Sequence, residues 1–281
     1  MSKFFNETTK ARNVLLAVDH LNVVEVQYSP VAAPPPEEPV FDPRISWLAG
    51  CRKLQIPPSS SLQQQFNGSV WLESAVESFR ALRTRLLRLR GARELRSILV
   101  TSATQGEGKT LTSLNLAICC AQLPDLRVLL IDSDLRTAGL TRAIGSPSAP
   151  GLSEVLSGQC SPEKAILETD QANLYVLPAT PTDRPPAELL ASGHWQETIS
   201  KLHETFNLIL VDAPPVLSLA DVELLTPACD GILMVVRAGH VRRDVLEKSY
   251  KHFDPKKLLG LVYNGAESAL YHRYKYGSAK N

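Results

Sequence analysis

A loop of mostly small and polar residues at positions 103–110, Ala-Thr-Gln-Gly-Glu-Gly-Lys-Thr, carries the clearest chemistry in the sequence. It follows the short apolar run 98–100 and precedes apolar residues at helical spacing over 111–118. Strand, loop and helix in this order are the context of a phosphate-binding P-loop. Gly106 and Gly108 let the backbone approach an anion, and the helix that follows directs unpaired N–H groups toward it. Ala103 stands where this motif usually begins with glycine.

The lysine and threonine that close this loop predict binding of a nucleotide together with Mg²⁺. Lys109 can reach the β- and γ-phosphates, and the Thr110 hydroxyl can ligate the metal ion. The residues that we expect to surround the nucleotide form a continuous segment, Gln105, Gly106, Glu107, Gly108, Lys109, Thr110 and Leu111.

Aspartates close two further apolar runs. The run 126–132 ends in Asp132, with Asp134 two residues on, and the run 206–212 ends in Asp212. Open α/β sheets bind ligands at the carboxyl ends of their strands, so these carboxylates should meet the P-loop at one edge. A buried carboxylate without a partner is costly, whereas Mg²⁺ prefers hard oxygen ligands. Thr110, Asp132 and Asp212 are therefore the predicted metal ligands, directly or through water.

The apolar pattern of the chain predicts an α/β fold of the P-loop NTPase type. Six continuous apolar runs read as buried strands, and they alternate with helical segments, which is typical of a mostly parallel sheet with helices on both faces. The predicted strands are 98–100, 126–132, 174–177, 206–212, 231–236 and 258–263. Beside the P-loop helix, the predicted helices are 73–90, 151–157, 186–204, 219–228 and 241–252, with a short amphipathic one over 3–17.

Composition and proline content give the expected domain organisation. The 281 residues carry a net charge of +1, which gives no general attraction for nucleic acid or membrane. Five scattered cysteines without a C-x-x-C pair fit a reducing cytoplasm. The sequence also has neither a long apolar span nor a signal peptide. Proline-rich stretches suggest that residues 1–70 are a mostly disordered extension, that 71–265 form the domain, and that 266–281 are a flexible tail.

Several motifs in this order resemble those of the bacterial protein-tyrosine kinases of capsule and exopolysaccharide synthesis, the BY-kinase family. The segment 103–110 resembles the first nucleotide motif of the family. The segment 128–136, Val-Leu-Leu-Ile-Asp-Ser-Asp-Leu-Arg, resembles the second, and 208–215, Leu-Ile-Leu-Val-Asp-Ala-Pro-Pro, resembles the third. A segment that begins at Pro185 matches a further family stretch with no assigned catalysis. The resemblance covers about residues 73–281.

The resemblance implies ATP-dependent phosphorylation of tyrosine on the protein itself. Lys109, Asp132, Asp134 and Asp212 are then the expected catalytic residues. Phosphoryl transfer depends mostly on positioning and charge neutralisation. Asp134 is the expected acceptor of the tyrosyl proton. Arg136 is expected to bind the nucleotide and to steady Asp134 or the transferred phosphoryl group.

The same resemblance implies how the protein assembles. Glu77, Arg80 and Arg83 resemble the subunit-contact motif of a ring oligomer in which subunits phosphorylate one another. The phosphate acceptors would be the tail tyrosines Tyr271, Tyr274 and Tyr276. The implied partner is a membrane polysaccharide co-polymerase that activates the kinase and holds it at the inner face of the cell membrane.

Three other functions remain open from the sequence. Partition and cell-division ATPases share the fold but carry a lysine five residues before the P-loop lysine, where this chain has Thr104. A catalytically weak ATP-binding adaptor of a polysaccharide export complex would keep the nucleotide site and lose the transfer. The third is binding of nucleic acid by the arginine-rich segment 80–96. A solvated or subunit-contact face explains these arginines more simply, so no nucleic-acid partner is expected.

Overall fold

The computed structural model describes residues 13–17, 45–57, 70–146, 150–218 and 221–266. A single sheet forms its centre, with the strand order β1-β9-β8-β3-β7-β4-β6-β5-β2. The strands are β1 (Asn13–Ala17), β2 (Arg52–Leu54), β3 (Ser97–Ser102), β4 (Val128–Asp132), β5 (Leu167–Thr169), β6 (Leu174–Leu177), β7 (Leu208–Asp212), β8 (Gly231–Arg237) and β9 (Leu258–Ala266).

The six predicted strands form a continuous parallel block at the centre of this sheet, which confirms the predicted fold class. Neighbouring pairs from β9 through β6 all run parallel. Antiparallel pairing occurs between β5 and β6 and between β1 and β9. Three strands were not predicted from the sequence. β2 and β5 have only three residues each, too few for a clear pattern, and β1 lies in the segment that was predicted as a helix.

Nine α-helices occur in the described ranges. They are α1 (Val70–Ala92), α2 (Lys109–Ala121), α3 (Gly139–Ala143), α4 (Leu152–Leu156), α5 (Pro162–Ala165), α6 (Pro186–Ala191), α7 (His194–Leu202), α8 (Asp221–Leu225) and α9 (Arg243–Tyr250). Shorter 3₁₀ segments occupy Ser46–Gly50, Val216–Ser218 and Thr226–Ala228. None of the helices in these ranges combines the length and the hydropathy that a bilayer span requires.

Alternate residues of the central strands pack into two separate cores, one on each face of the sheet. Ile98 and Val100 of β3 face the core formed with α1 and α2, where Phe79, Leu82 and Leu86 are buried. Leu99, between them, faces the opposite core, to which the helices from α4 to α8 contribute. Because both faces are covered, the strands are apolar throughout, which explains why the sequence predicted them so clearly.

Two expectations about helices differ from the structure. The predicted helix over 186–204 is divided into α6 and α7 by Gly193, which adopts the left-handed conformation with φ 83°. The predicted helix over 3–17 is wrong for residues 13–17, which form β1 and pair with β9. Backbone pairing with an exposed sheet edge has outweighed the helical spacing of a few apolar residues there.

Of the N-terminal 70 residues, the described segments 13–17 and 45–57 belong to the fold. β1 and β2 lie at opposite edges of the sheet, and Leu48, Leu54 and Ile56 are buried in its cores. The ring of Trp47 packs edge-on against Phe206 with 6.2 Å between ring centroids. Of the predicted tail, residues 267–281 and their three tyrosines lie outside the described residues.

Candidate active site

The P-loop and two of the predicted aspartates meet where three adjacent strands end. β7 lies between β3 and β4, and Asp212 is the register partner of both Val100 and Asp132. The P-loop leaves β3 directly beside them. Parallel strands bring their carboxyl ends to one edge, as the sequence predicted for these residues.

The P-loop is shaped by two glycines in the left-handed region. Gly106 has φ 85° and Gly108 has φ 90°, conformations that side chains rarely permit. A Cβ added at Gly108 would lie 2.1 Å from Nδ2 of Asn264, so this position has no room for a side chain. Helix α2 begins at the next residue, Lys109, with its free N–H groups at the loop.

Asp212 is fully buried and holds the first turn of α2 through two hydroxyl groups. Thr110 Oγ1 donates to Asp212 Oδ2 over 2.8 Å, and Ser113 Oγ donates to Oδ1 over 2.9 Å. Burial raises the pKa of Asp212, although the nearby Lys109 ammonium acts in the opposite direction. A carboxylate that binds the hydroxyl of a metal-ligating threonine is suited to orient that ligand and the water around a cation.

Asp134 faces the P-loop lysine. Its Oδ2 lies 3.6 Å from Lys109 Nζ, and both side chains are largely buried. Thr137 fixes the carboxylate, donating its N–H to Oδ1 over 3.1 Å and its hydroxyl to Oδ2 over 2.7 Å. The arrangement holds a carboxylate and an ammonium side by side, next to the loop that would cradle phosphates.

Asp132 is more firmly tied into the protein than a simple metal ligand would be. Its Oδ2 accepts the Thr141 N–H over 2.8 Å and the Thr141 hydroxyl over 2.7 Å. Burial, and then the neighbouring Asp212 charge, raise the pKa of Asp132 to about 7. Two acidic groups so close and so buried resist ionising together, and a cation would remove that conflict.

Two residues predicted to contact the nucleotide have other partners. The guanidinium of Arg136 pairs with Asp221, with Nε 2.9 Å from Oδ2, rather than with Asp134. The side chain of Glu107 is fully buried, and its Oε1 accepts the Thr104 N–H over 2.6 Å. The Glu107 carboxylate therefore supports the loop from inside, and contact of this residue with a nucleotide stays a prediction for its backbone.

The predicted subunit-contact residues on α1 do not act alike. Arg80 and Glu77 form an ion pair within the helix, and both side chains are about half exposed or more. Arg83 instead turns inward, and its Nη1 donates to the Cys119 carbonyl at the end of α2 over 2.7 Å. The three residues of the predicted subunit-contact motif are therefore divided between a surface pair and a contact with α2.

Sequence reasoning missed several residues that the fold brings to this site. Ser113 follows Thr110 by three positions on the same helix, and this spacing could have revealed it. Thr141 follows Asp132 by nine residues across a turn, and Arg237 and Asn264 come from distant parts of the chain, so none of the three had such a signal. Their contacts are with Asp132 for Thr141 and with the P-loop for the other two.

The donor set suits Mg²⁺ bound together with a nucleotide. Without a Cβ at Gly108 the loop packs directly against Asn264, and the Thr110 hydroxyl lies at the start of α2 beside a buried carboxylate. Mg²⁺ usually takes few protein ligands and completes its octahedron with phosphate oxygens and water. Thr110 would supply the direct ligand, and Asp212 would bind the water around it.

Comparisons with known proteins agree with this geometry. Residues 95–252 match the family described as AAA domain. The tyrosine-protein kinase YwqD of Bacillus subtilis (strain 168) is 32% identical over 207 residues, covering 73% of this chain and 87% of that protein. The tyrosine-protein kinase CpsD of Streptococcus agalactiae is 31% identical over 207 residues, covering 72% of this chain and 88% of that protein.

A solved structure extends the similarity to the fold. The kinase domain of the Escherichia coli tyrosine kinase ETK superposes with a TM-score of 0.67 at 27% identity, covering 80% of this chain and 88% of that one. Sequence and fold therefore agree with the motifs at the sheet edge. The chain belongs to the bacterial tyrosine-protein kinase (BY-kinase) family.

Proposed function

We propose that this protein is an ATP-dependent tyrosine kinase that phosphorylates its own C-terminal tail and thereby regulates polymerisation and export of a polysaccharide. The observation that carries the proposal is the meeting of Lys109, Asp134 and the Asp212–Thr110 pair at one sheet edge. The kinase names of relatives that align over most of the chain give it further support. Thr104, where partition ATPases have lysine, argues against that alternative.

In this proposal each residue has a role that its contacts support. Lys109 and the loop N–H groups neutralise the β- and γ-phosphates. Thr110 and Asp212 hold Mg²⁺, which when bound spreads the charge that develops on the phosphates. Asp134 accepts the proton of the incoming tyrosine hydroxyl, and Lys109 Nζ lies 3.6 Å from its carboxylate. Asp132 braces the loop around Thr141.

The tail tyrosines provide the direct test. We expect the full chain with Mg-ATP to gain phosphotyrosine, and we expect the triple variant Tyr271→Phe, Tyr274→Phe, Tyr276→Phe to lose most of it. The measurement is mass spectrometry with an anti-phosphotyrosine blot. A protein that binds Mg-ATP, also in the presence of its membrane activator, yet never gains phosphotyrosine would instead be a regulatory adaptor.

Assembly into a ring is the second part of the proposal, and the contacts of Arg80 and Arg83 determine how it should be tested. Arg80 is a surface residue and Arg83 an internal one, so the two should be changed separately. We expect Arg80→Ala to shift light scattering toward monomer without changing the melting temperature. Arg83→Ala should lower stability by about 1 kcal/mol, the usual worth of one hydrogen bond. A ring that survives Arg80→Ala would remove this contact from the assembly.

Attachment to the membrane through a partner completes the proposal. A cytoplasmic protein held at the inner membrane face by a polysaccharide co-polymerase should have little affinity of its own for lipid, given a net charge of only +1. We expect the purified chain to stay in the supernatant when anionic vesicles are sedimented at high salt. Tight binding without any partner would contradict this arrangement.

A further inference from the structure

The P-loop is held from outside by residues of the two strands beyond it. Asn264 in β9 donates its Nδ2–H to the Glu107 carbonyl over 2.8 Å, and its side chain is buried. Arg237, at the end of β8, donates Nη1–H to the Gly106 carbonyl over 3.3 Å. Arg237 and Asn264 are register partners on adjacent strands, so the two donors reach the loop side by side.

A third side chain donates to the next carbonyl of the loop. The ring of His240, just after β8, places Nε2 3.0 Å from the Gln105 carbonyl. Because a carbonyl oxygen only accepts, this contact requires the proton on Nε2. The backbone N–H of Arg237 also lies 3.3 Å from Oε2 of the buried Glu107 carboxylate. Three consecutive carbonyls, of residues 105, 106 and 107, thus each bind a side chain from outside the loop.

The geometry of the peptide bond determines where the N–H groups next to these three carbonyls point. In a planar trans peptide the carbonyl of one residue and the N–H of the next point in opposite directions. Carbonyls drawn toward β8 and β9 therefore turn the N–H groups of residues 106, 107 and 108 to the opposite side of the loop. N–H groups that converge in this way form an anion-binding concavity.

We propose that Asn264 and His240, with Arg237, are positioning residues that orient three P-loop peptide planes so that their N–H groups face the phosphates of the bound nucleotide. The inference rests on the proposed binding of nucleotide at this loop. It does not depend on phosphate transfer to tyrosine. None of the three needs to touch the nucleotide, since each acts through a loop carbonyl.

Nucleotide affinity tests the inference in the full chain. We expect Asn264→Ala and His240→Ala each to weaken binding of Mg-ADP, measured by calorimetry, by about tenfold, at the lower end of what lost supporting contacts usually cost. Magnesium pyrophosphate, measured by displacement of ADP, should weaken by the same factor, because it contacts only the phosphate cradle. Asn264 carries no charge, so its removal does not change the field around the site.

The controls separate the positioning role from a general effect of lost charge or lost stability. Arg243→Ala removes an exposed cation of the neighbouring helix that pairs with Glu247, and it should leave both affinities unchanged. His240→Gln keeps a side-chain N–H and should recover most of the affinity. His240 is exposed, so its variant should melt like wild type and remain informative if Asn264→Ala does not fold.

Two results would overturn the inference. One is unchanged affinity for Mg-ADP in a folded His240→Ala protein. The other is weaker ADP binding with unchanged pyrophosphate binding, which would mean that these residues act on the base or sugar. If wild type itself does not bind Mg-ADP, the proposed function fails first, and the measurement distinguishes that outcome from a failure of the positioning role.

Discussion

Replacing Lys109 by methionine should reduce ATP-dependent tyrosine phosphorylation about a hundredfold to a thousandfold, the usual cost of removing one preorganised group that stabilises charge in the transition state. Lys109 begins α2, and its side chain is only 12% exposed, so its ammonium acts where solvent screening is weak. Methionine keeps most of the length of the side chain and removes the charge. The initial rate of phosphotyrosine formation measures the effect.

A matched control uses a lysine that has no place in the site. Lys248 lies on the exposed part of α9, and Lys248→Met makes the same chemical change there. We expect its rate to equal that of wild type. Circular dichroism should show that both variants are folded. A Lys109→Met protein that retains more than a tenth of the wild-type rate would contradict the role given to this residue.

Asp212→Asn should lower activity without lowering stability. The buried carboxylate accepts hydrogen bonds from the hydroxyls of Thr110 and Ser113, and in the proposed mechanism its charge holds the water around Mg²⁺. We expect phosphorylation to fall about a hundredfold, near the upper end of what is usual for residues that support a metal site. Raising the Mg²⁺ concentration should restore part of the rate.

The stability of the nucleotide-free protein should not fall in the same variant. Burial raises the pKa of Asp212 above that of the unfolded chain, so ionising it costs folding free energy as the pH rises through the folded-state pKa. An amide of the same shape avoids that cost. We therefore expect Asp212→Asn to unfold in urea at the same concentration as wild type or a higher one at pH 8.

A second aspartate provides the comparison for both measurements. Asp125 is exposed in the turn after α2, and Asp125→Asn should change neither the rate nor the urea midpoint. Strong destabilisation by Asp212→Asn would show that the charge itself holds the fold together. Wild-type activity in that variant would remove Asp212 from the metal site.

The sequence by itself determined the P-loop, the parallel strands and the two aspartates that end them. Each of these depends on local pattern, because a strand buried on both faces must be apolar along its whole length, and a loop that approaches phosphate needs glycine at fixed places. The meeting of Lys109, Thr110 and Asp212 at one sheet edge could therefore be predicted from residue types and spacing alone. Because such strands run parallel, their carboxyl ends lie at one edge of the sheet.

The partner that each polar side chain binds became known only from the tertiary structure. Arg136 could have paired with Asp134 nearby in sequence, yet it binds Asp221, and Arg83 binds the end of α2 instead of facing outward. Asn264 and His240 reach the P-loop from more than a hundred residues away. Long polar side chains can reach several partners, and the packing of distant strands, which leaves no periodic pattern in the sequence, selects one of them.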